Sequence, residues 1–285
     1  MVENGEIGQK MKIAQYYDKD DRIRLVRIEG ENLIPIDFPG DMIDFIRSRS
    51  NLKDNGDPVP LDTISLAPPI SRPSKIIGIG LNYSDHIKES KGNVPEFPLI
   101  FAKFPNSLLG HKGRITWNSN LTRKVDFEAE LAVIIGKEMH ECNEDEAMEG
   151  IFGYTCGNDV SARDLQFGDG QWVRGKSPDS FCPLGPWIIT SEEIADPHSL
   201  QISSLLNGLV MQDSNTSFML FKLPLLISFL SKNFTLLPGD VILTGTPHGV
   251  GCFRKPPVYM EDGDEIVVEI EGVGRLENTC RTYYR

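Results

Sequence analysis

Runs of positive charge are missing from this 285-residue chain: its 29 lysines and arginines are scattered and outnumbered by 41 aspartates and glutamates, giving a formal charge of -12. That balance argues against nucleic acid or an anionic membrane as the main partner. Long apolar runs are missing too. The most apolar stretch, residues 218–230, is broken by Lys222, Pro224 and Ser228 and is too short to span a bilayer. Cysteine is sparse, and Cys142, Cys156, Cys182, Cys252 and Cys280 lie far apart with no C-x-x-C pair. An odd, dispersed set reads as reduced thiols rather than a disulfide framework. The N-terminal MVENGEIGQKMK has neither the apolar core of a secretory signal nor the arginine-rich make-up of a transit peptide. The expected location is the cytoplasm, or the mitochondrial matrix if a targeting segment has been removed. There is no internal repeat. LTGTPHGVG, residues 243–251, matches neither a Walker loop nor a dinucleotide fingerprint, and DGDE at 262–265 lacks the spaced ligands of a calcium loop.

What is present is a soluble, globular composition, 40% apolar and 25% charged, in a chain long enough for one large domain with an appendage, or for two. Residues 11–37 hold three β-prone runs, KIAQYY, RIRLVRI and NLIPIDF, separated by DKDD and EGEN. DMIDFIRSRS follows with helical spacing, and the next 25 residues are rich in Pro, Asp, Asn and Ser. A boundary near residue 70 is expected, with a small α+β domain at 1–70 and a larger domain at 71–285. From Ser74 on, short apolar runs punctuated by Gly and Pro follow one another: KIIGIGL, PLIFAKF, ELAVIIG, GYTCGNDV, PWIIT, SLLNGLV, DVILTGT and DEIVVEIEG. Frequent strands with few helices between them predict a mostly antiparallel β-sandwich or rolled barrel. Few helices are expected in this part, with EDEAMEGIF, capped by Asn143, and PLLISFLSKN the best marked.

VDFEAEL, residues 125–131, alternates Asp126, Glu128 and Glu130 with Phe127, Ala129 and Leu131, the pattern of a half-buried strand. Residues two apart on a strand are about 6.6 to 6.8 Å apart, so Glu128 and Glu130 can converge on one point. Three readings are open: a solvated face, which is the commonest fate of such a stripe, a salt-bridge partner, or a bound cation. GNDVSARD at 157–164 adds Asp159 and Asp164 around Arg163, enough for an all-oxygen site of the kind Mg²⁺ favours, or for a structural Asp-Arg turn. In NYSDHIKES, His86 and Glu89 stand at i and i+3 on a short helix, where a carboxylate can orient an imidazole into a general base. Lys176, between Gly175 and Ser177, is either solvated or aimed at an anion, and LTGTPHGVG offers Thr244 and Thr246 beside backbone N–H groups.

In order along the chain, NYSDHIKE, PLIFAKFPNSLLG, VDFEAELAVIIGK, GYTCGNDVSARDLQ, QWVRGKSPDSFCPLGPWI and PGDVILTGTPHGVG resemble the fumarylacetoacetate hydrolase family over residues 75–275 or so. CFRKPPVYMEDGDEI and ADPHSL further resemble one subgroup of it. The resemblance implies a mixed, mainly β fold, a β-roll or sandwich with a small α+β N-terminal domain, assembled as a homodimer. It implies Mg²⁺, with Ca²⁺ or Mn²⁺ as alternatives, held by Glu128, Glu130 and Asp159. Arg163, Gln166 and Thr246 match substrate-binding positions, Lys176 matches a position that stabilises developing negative charge, and His86 with Glu89 matches a water-activating dyad. Asp126 is left outside the ligand set, behind it or at the surface. One departure stands out: Gly78, Ile79, Gly80 and Leu81 precede Asn82 with no acid, where the founding hydrolase carries a fourth carboxylate. The implied substrates are therefore small 2-oxo acids. Oxaloacetate, as tautomerase or decarboxylase, comes first, acylpyruvate C–C hydrolysis second, and a non-catalytic metal-stabilised scaffold is the alternative of another class.

Overall fold

The computed structural model describes residues 11–285 except 49 and 51, so the first ten residues of the expected N-terminal domain lie outside the described residues. Two sheets organise the chain. Across the larger one the strands run Val59–Pro60, Asn32–Pro35, Ile23–Glu29, Lys12–Tyr17, Cys182–Thr190, Ile151–Asn158, Ala129–Ile135, Val241–Leu243, Ile76–Gly80 and Leu99–Lys103. The smaller sheet runs Leu209–Asn215, Gln201–Leu206, Glu265–Ile270, Gly274–Tyr283 and Arg114–Asn118. The pairing is mostly antiparallel, as the closely spaced apolar runs predict. The strands of the N-terminal stretch join the larger sheet directly, Lys12 opposite Ile189 and Ile13 opposite Ile188.

Ala129–Ile135 shows why the middle of the molecule folds this way. It lies between Ile151–Asn158 and Val241–Leu243, and every one of its residues is buried. Its side chains alternate between two cores. Leu131, Val133 and Ile135 join Ile202, Val268 and Ile270 of the smaller sheet and Leu226, Ile227 and Leu230 of the helix Leu223–Asn233. Ala132 and Ile134 point the other way, into a core with Met42, Phe45 and Ile46 of the helix Met42–Ser48. A strand covered on both faces has no room for a polar stripe, which is why the charge-free run after Leu131 is continuous.

The single strand expected over VDFEAEL is in fact two. Val125–Asp126 pairs with Ser161–Ala162 in a separate ladder, and the next strand begins only at Ala129. The break is held by side chains: the Phe127 N–H donates to Asp126 Oδ1 at 2.9 Å and the Glu128 N–H to Asn158 Oδ1 at 3.0 Å. Ladder bonds are replaced, so the kink leaves neither the Phe127 nor the Glu128 backbone N–H without an acceptor. The helix after Asn143 has its reciprocal cap with Glu146 but stops at Met148, because Ile151 and Phe152 belong to the next strand.

Candidate active site

Strand register delivers the carboxylates. Glu130 lies opposite Gly157 near the start of the central strand, and the Asp159 N–H donates to the Glu128 carbonyl at 2.9 Å just past the end of the ladder. One oxygen from each of Glu128, Glu130 and Asp159 falls within 4.8 Å of the others, and all three residues are buried. A one-residue slip would turn every side chain to the opposite face, so the packing of Leu131 and Val133 into the core also aims Glu130.

Three buried cations surround the acids. Lys176 Nζ lies 2.8 Å from Glu128 Oε2 and 2.5 Å from Asp159 Oδ2, and Lys103 Nζ lies 2.6 Å from Asp159 Oδ1. Arg163 Nη1 lies 2.6 Å from Glu128 Oε1, and its Nε donates to Asp126 Oδ2 at 2.8 Å. Burial alone would raise the Glu128 carboxyl, but the charges of Lys176 and Arg163 outweigh it and bring the pKa to about 2. Glu130 goes the other way. Burial, then the negative charges of Asp159 and Glu128, push its pKa well above the usual carboxylate range. The Gly245 N–H donates to it at 2.7 Å, yet it has no ion pair among the described residues. A buried carboxylate that the protein's own cations leave unpaired, beside two hard oxygen donors, fits a divalent cation of the Mg²⁺ type.

The remaining groups reach the same pocket, a cavity of about 80 Å³ lined by His86, Glu128, Glu130, Arg163, Gln166, Lys176 and Thr246 among others. His86 comes from the helix Ser84–Ser90. Its Nδ1 is 3.3 Å from Glu89 Oε2, and Glu89 Oε1 accepts from the Gly249 N–H at 3.0 Å. A carboxylate only accepts, so Nδ1 is the donor here and Nε2 is the ring nitrogen left for proton exchange. Gln166 Oε1 accepts from Arg163 Nη1 at 3.0 Å. Thr246 Oγ1 donates to the Ala129 carbonyl at 2.9 Å and accepts from Gln212 Nε2 at 2.8 Å, so this hydroxyl is held in place by the strand that carries Glu130.

The nine residues that the resemblance assigns to the site thus converge: seven line the cavity, Asp159 completes the acid trio, and Glu89 bonds His86, whereas Asp164 accepts from Thr122 and Thr244 donates to the Leu131 carbonyl. Asp126 is neither at the surface nor idle. It is fully buried, and besides Arg163 it accepts from the Gly251 N–H at 2.8 Å and the Cys252 N–H at 3.0 Å. Two residues were missed. Lys103 is buried on the same side of its strand as Phe101, and a lysine in phase with a buried aromatic in PLIFAKF was the available signal. Gln212, also buried, accepts from the Ala129 N–H at 2.9 Å, and nothing in LVMQDSN sets it apart.

A β-rich fold brings together buried acids that could hold a metal, a carboxylate-bound histidine and facing cations, and comparison with known proteins gives its family. Residues 75–281 match the model described as fumarylacetoacetate (FAA) hydrolase C-terminal, and the chain belongs to the fumarylacetoacetate hydrolase family, whose members act as enzymes. It is 46% identical over 221 residues, 77% of this chain and 70% of the other, to the Rattus norvegicus protein named oxaloacetate tautomerase Fahd2a, mitochondrial. It is 45% identical over 222 residues, with the same coverage of 77% and 70%, to fumarylacetoacetate hydrolase domain-containing protein 2 of Pongo abelii, the subgroup that CFRKPPVYMEDGDEI and ADPHSL resemble. Among solved structures, a fumarylacetoacetate hydrolase from Exiguobacterium antarcticum superposes with a TM-score of 0.88 at 36% identity, covering 96% of this chain and all of that one. The expected fold class is borne out by that superposition.

Proposed function

We propose that this chain is a Mg²⁺-dependent oxaloacetate keto-enol tautomerase. The observation that carries the reading is the grouping of Glu128, Glu130 and Asp159 at a cavity that a carboxylate-oriented histidine and two cationic side chains also line. The names of the tautomerase relatives support the choice of oxaloacetate over other 2-oxo acids.

When bound, a divalent cation supplies Lewis-acid polarisation of the substrate's carboxylate and 2-oxo group. Glu128, Glu130 and Asp159 would hold it. The protein's own groups do the rest. Lys176 and Arg163 present positive charge to the remaining anionic oxygens, inside a buried cavity where such interactions are strong. His86 Nε2 removes or returns the proton at C3, while Glu89 keeps Nδ1 protonated and the ring aligned. A second reading, C–C hydrolysis of an acylpyruvate, is favoured by the same His86–Glu89 pair if it activates water instead.

The word mitochondrial in the relatives' names supports a mitochondrial location over the cytoplasm. No helix among the described residues is long and apolar enough to cross a membrane.

Ultraviolet monitoring of oxaloacetate and acetylpyruvate, with and without Mg²⁺, tests the assignment. Metal-dependent enol-keto exchange of oxaloacetate is expected, cut about 10²-fold by His86→Ala with Mg²⁺ binding retained in calorimetry. Glu128→Ala should lose both. Cleavage of acetylpyruvate alone would transfer the assignment to hydrolysis, and no metal-dependent change on either substrate would favour the scaffold. Unchanged Mg²⁺ binding by Glu128→Ala would overturn the ligand set.

A further inference from the structure

The cavity that holds the acids shares a wall with a much larger one. Phe101 and Trp172 line both the inner cavity of about 80 Å³ and an outer cleft of about 470 Å³. Their rings pack 5.5 Å apart at 58°. On the inner side the Lys176 ammonium lies 4.9 Å from the Phe101 ring centre. On the outer side the cleft is bounded mainly by Ile77, Leu99, Ile100, Ala102, Val173 and Phe234; the one charged residue of its lining among those described, Lys75, is already paired with Asp240 at 2.5 Å.

The sequence makes room for this wall. A Cβ at Gly80 would lie 2.6 Å from the Trp172 ring, and one at Gly78 would lie 2.2 Å from Phe101, so any side chain there would displace the rings. Glycine at both positions lets the aromatics lie against the strand backbone. The backbone of Trp172 is fixed as well: its carbonyl accepts from the Gly175 and Lys176 N–H groups, both at 3.0 Å. The partition and the Lys176 ammonium are therefore set by one turn of chain.

We propose that Phe101 and Trp172 form a partition that sets the length of 2-oxo acid the site accepts, confining it to short substrates and closing it to apolar tails that the outer cleft would otherwise receive. This rests on reading the inner cavity as a 2-oxo acid site. The largely apolar lining behind the partition commits the excluded class: 2-oxo acids with an alkyl or aryl tail, rather than longer dicarboxylates, whose second charge would meet only Lys75, a cation Asp240 already neutralises.

The test is calorimetric binding of 2-oxobutanoate and 2-oxooctanoate to the full chain in excess Mg²⁺. The wild type should favour the short probe. In Trp172→Ala the ratio of long-probe to short-probe affinity should rise about tenfold or more, the scale on which apolar pockets discriminate chain length. Trp172→Phe should restore part of the barrier. Should Trp172→Ala fail to fold, Trp172→Leu removes most of the ring and should move the ratio the same way. An unchanged ratio in folded variants overturns the partition even if oxaloacetate is turned over. A shifted ratio without oxaloacetate turnover leaves the partition standing and removes the tautomerase reading. Binding of neither probe to either protein overturns the partition together with the 2-oxo acid site.

Discussion

Replacing Asp126 by alanine should cost the fold about 6 kcal/mol, although the residue is not in the proposed ligand set. The magnitude comes from what the carboxylate holds. It accepts from Arg163 Nε at 2.8 Å, from the N–H groups of Gly251 and Cys252 at 2.8 and 3.0 Å, and from the Phe127 N–H at 2.9 Å. Removing one partner of a buried ion pair costs about 3–5 kcal/mol, and each buried N–H left without an acceptor adds about 1 kcal/mol or more. Arg163 keeps Glu128 and Gln166, which holds the ion-pair loss to the lower part of its range. Against a total stability of about 5–15 kcal/mol the loss is large. Urea unfolding of the wild type, Asp126→Ala, Arg163→Met and the double variant measures it. The double variant should recover about 2 kcal/mol relative to the sum of the singles, because no guanidinium is then left half-paired. A loss below about 1 kcal/mol, or strict additivity, would refute the argument that Asp126 anchors this side of the site.

Two further outcomes follow from other elements. Glu130 has a folded-state pKa raised above its unfolded value, so its contribution to stability is fully present below the unfolded pKa and is lost as pH rises through the folded one. In chelator, the urea midpoint of Glu130→Gln should therefore gain on the wild type as pH is raised from about 4 to 8, and parallel midpoints would contradict the raised pKa. At the start of the helix Met42–Ser48, Asp41 Oδ1 accepts from the Asp44 N–H at 3.0 Å and Asp44 Oδ2 from the Asp41 N–H at 3.1 Å. Asp41→Ala should lower stability by about 1–2 kcal/mol and Asp41→Asn by less, and equal losses would indicate that the Arg72 ion pair, not the cap, is what matters.

How much of this was legible in the sequence depended on whether a residue's neighbours are local. The short helices and strand runs were readable because their signals lie within a few residues, as in the i, i+3 spacing of His86 and Glu89. The convergence of Glu128, Glu130 and Asp159 was readable from ordered motifs. Lys103 and Gln212 were not, because their partners lie 56 and 83 residues away and the segments around them read as ordinary strand. The break at Phe127 escaped for a related reason. Alternation predicts an unbroken strand, and what interrupts it is Asn158, a side chain from the neighbouring strand that takes over one backbone bond.

The chain between residues 245 and 252 has a consequence for spectroscopy. Gly245 reports on Glu130, Gly249 on Glu89, and Gly251 and Cys252 on Asp126, each through its own amide hydrogen bond. Glycine amides occupy a sparse region of a proton–nitrogen correlation spectrum. Three of these four resonances would separate three events in one titration: a cation reaching the acids, a change at the histidine's carboxylate, and any loosening of the arginine anchor.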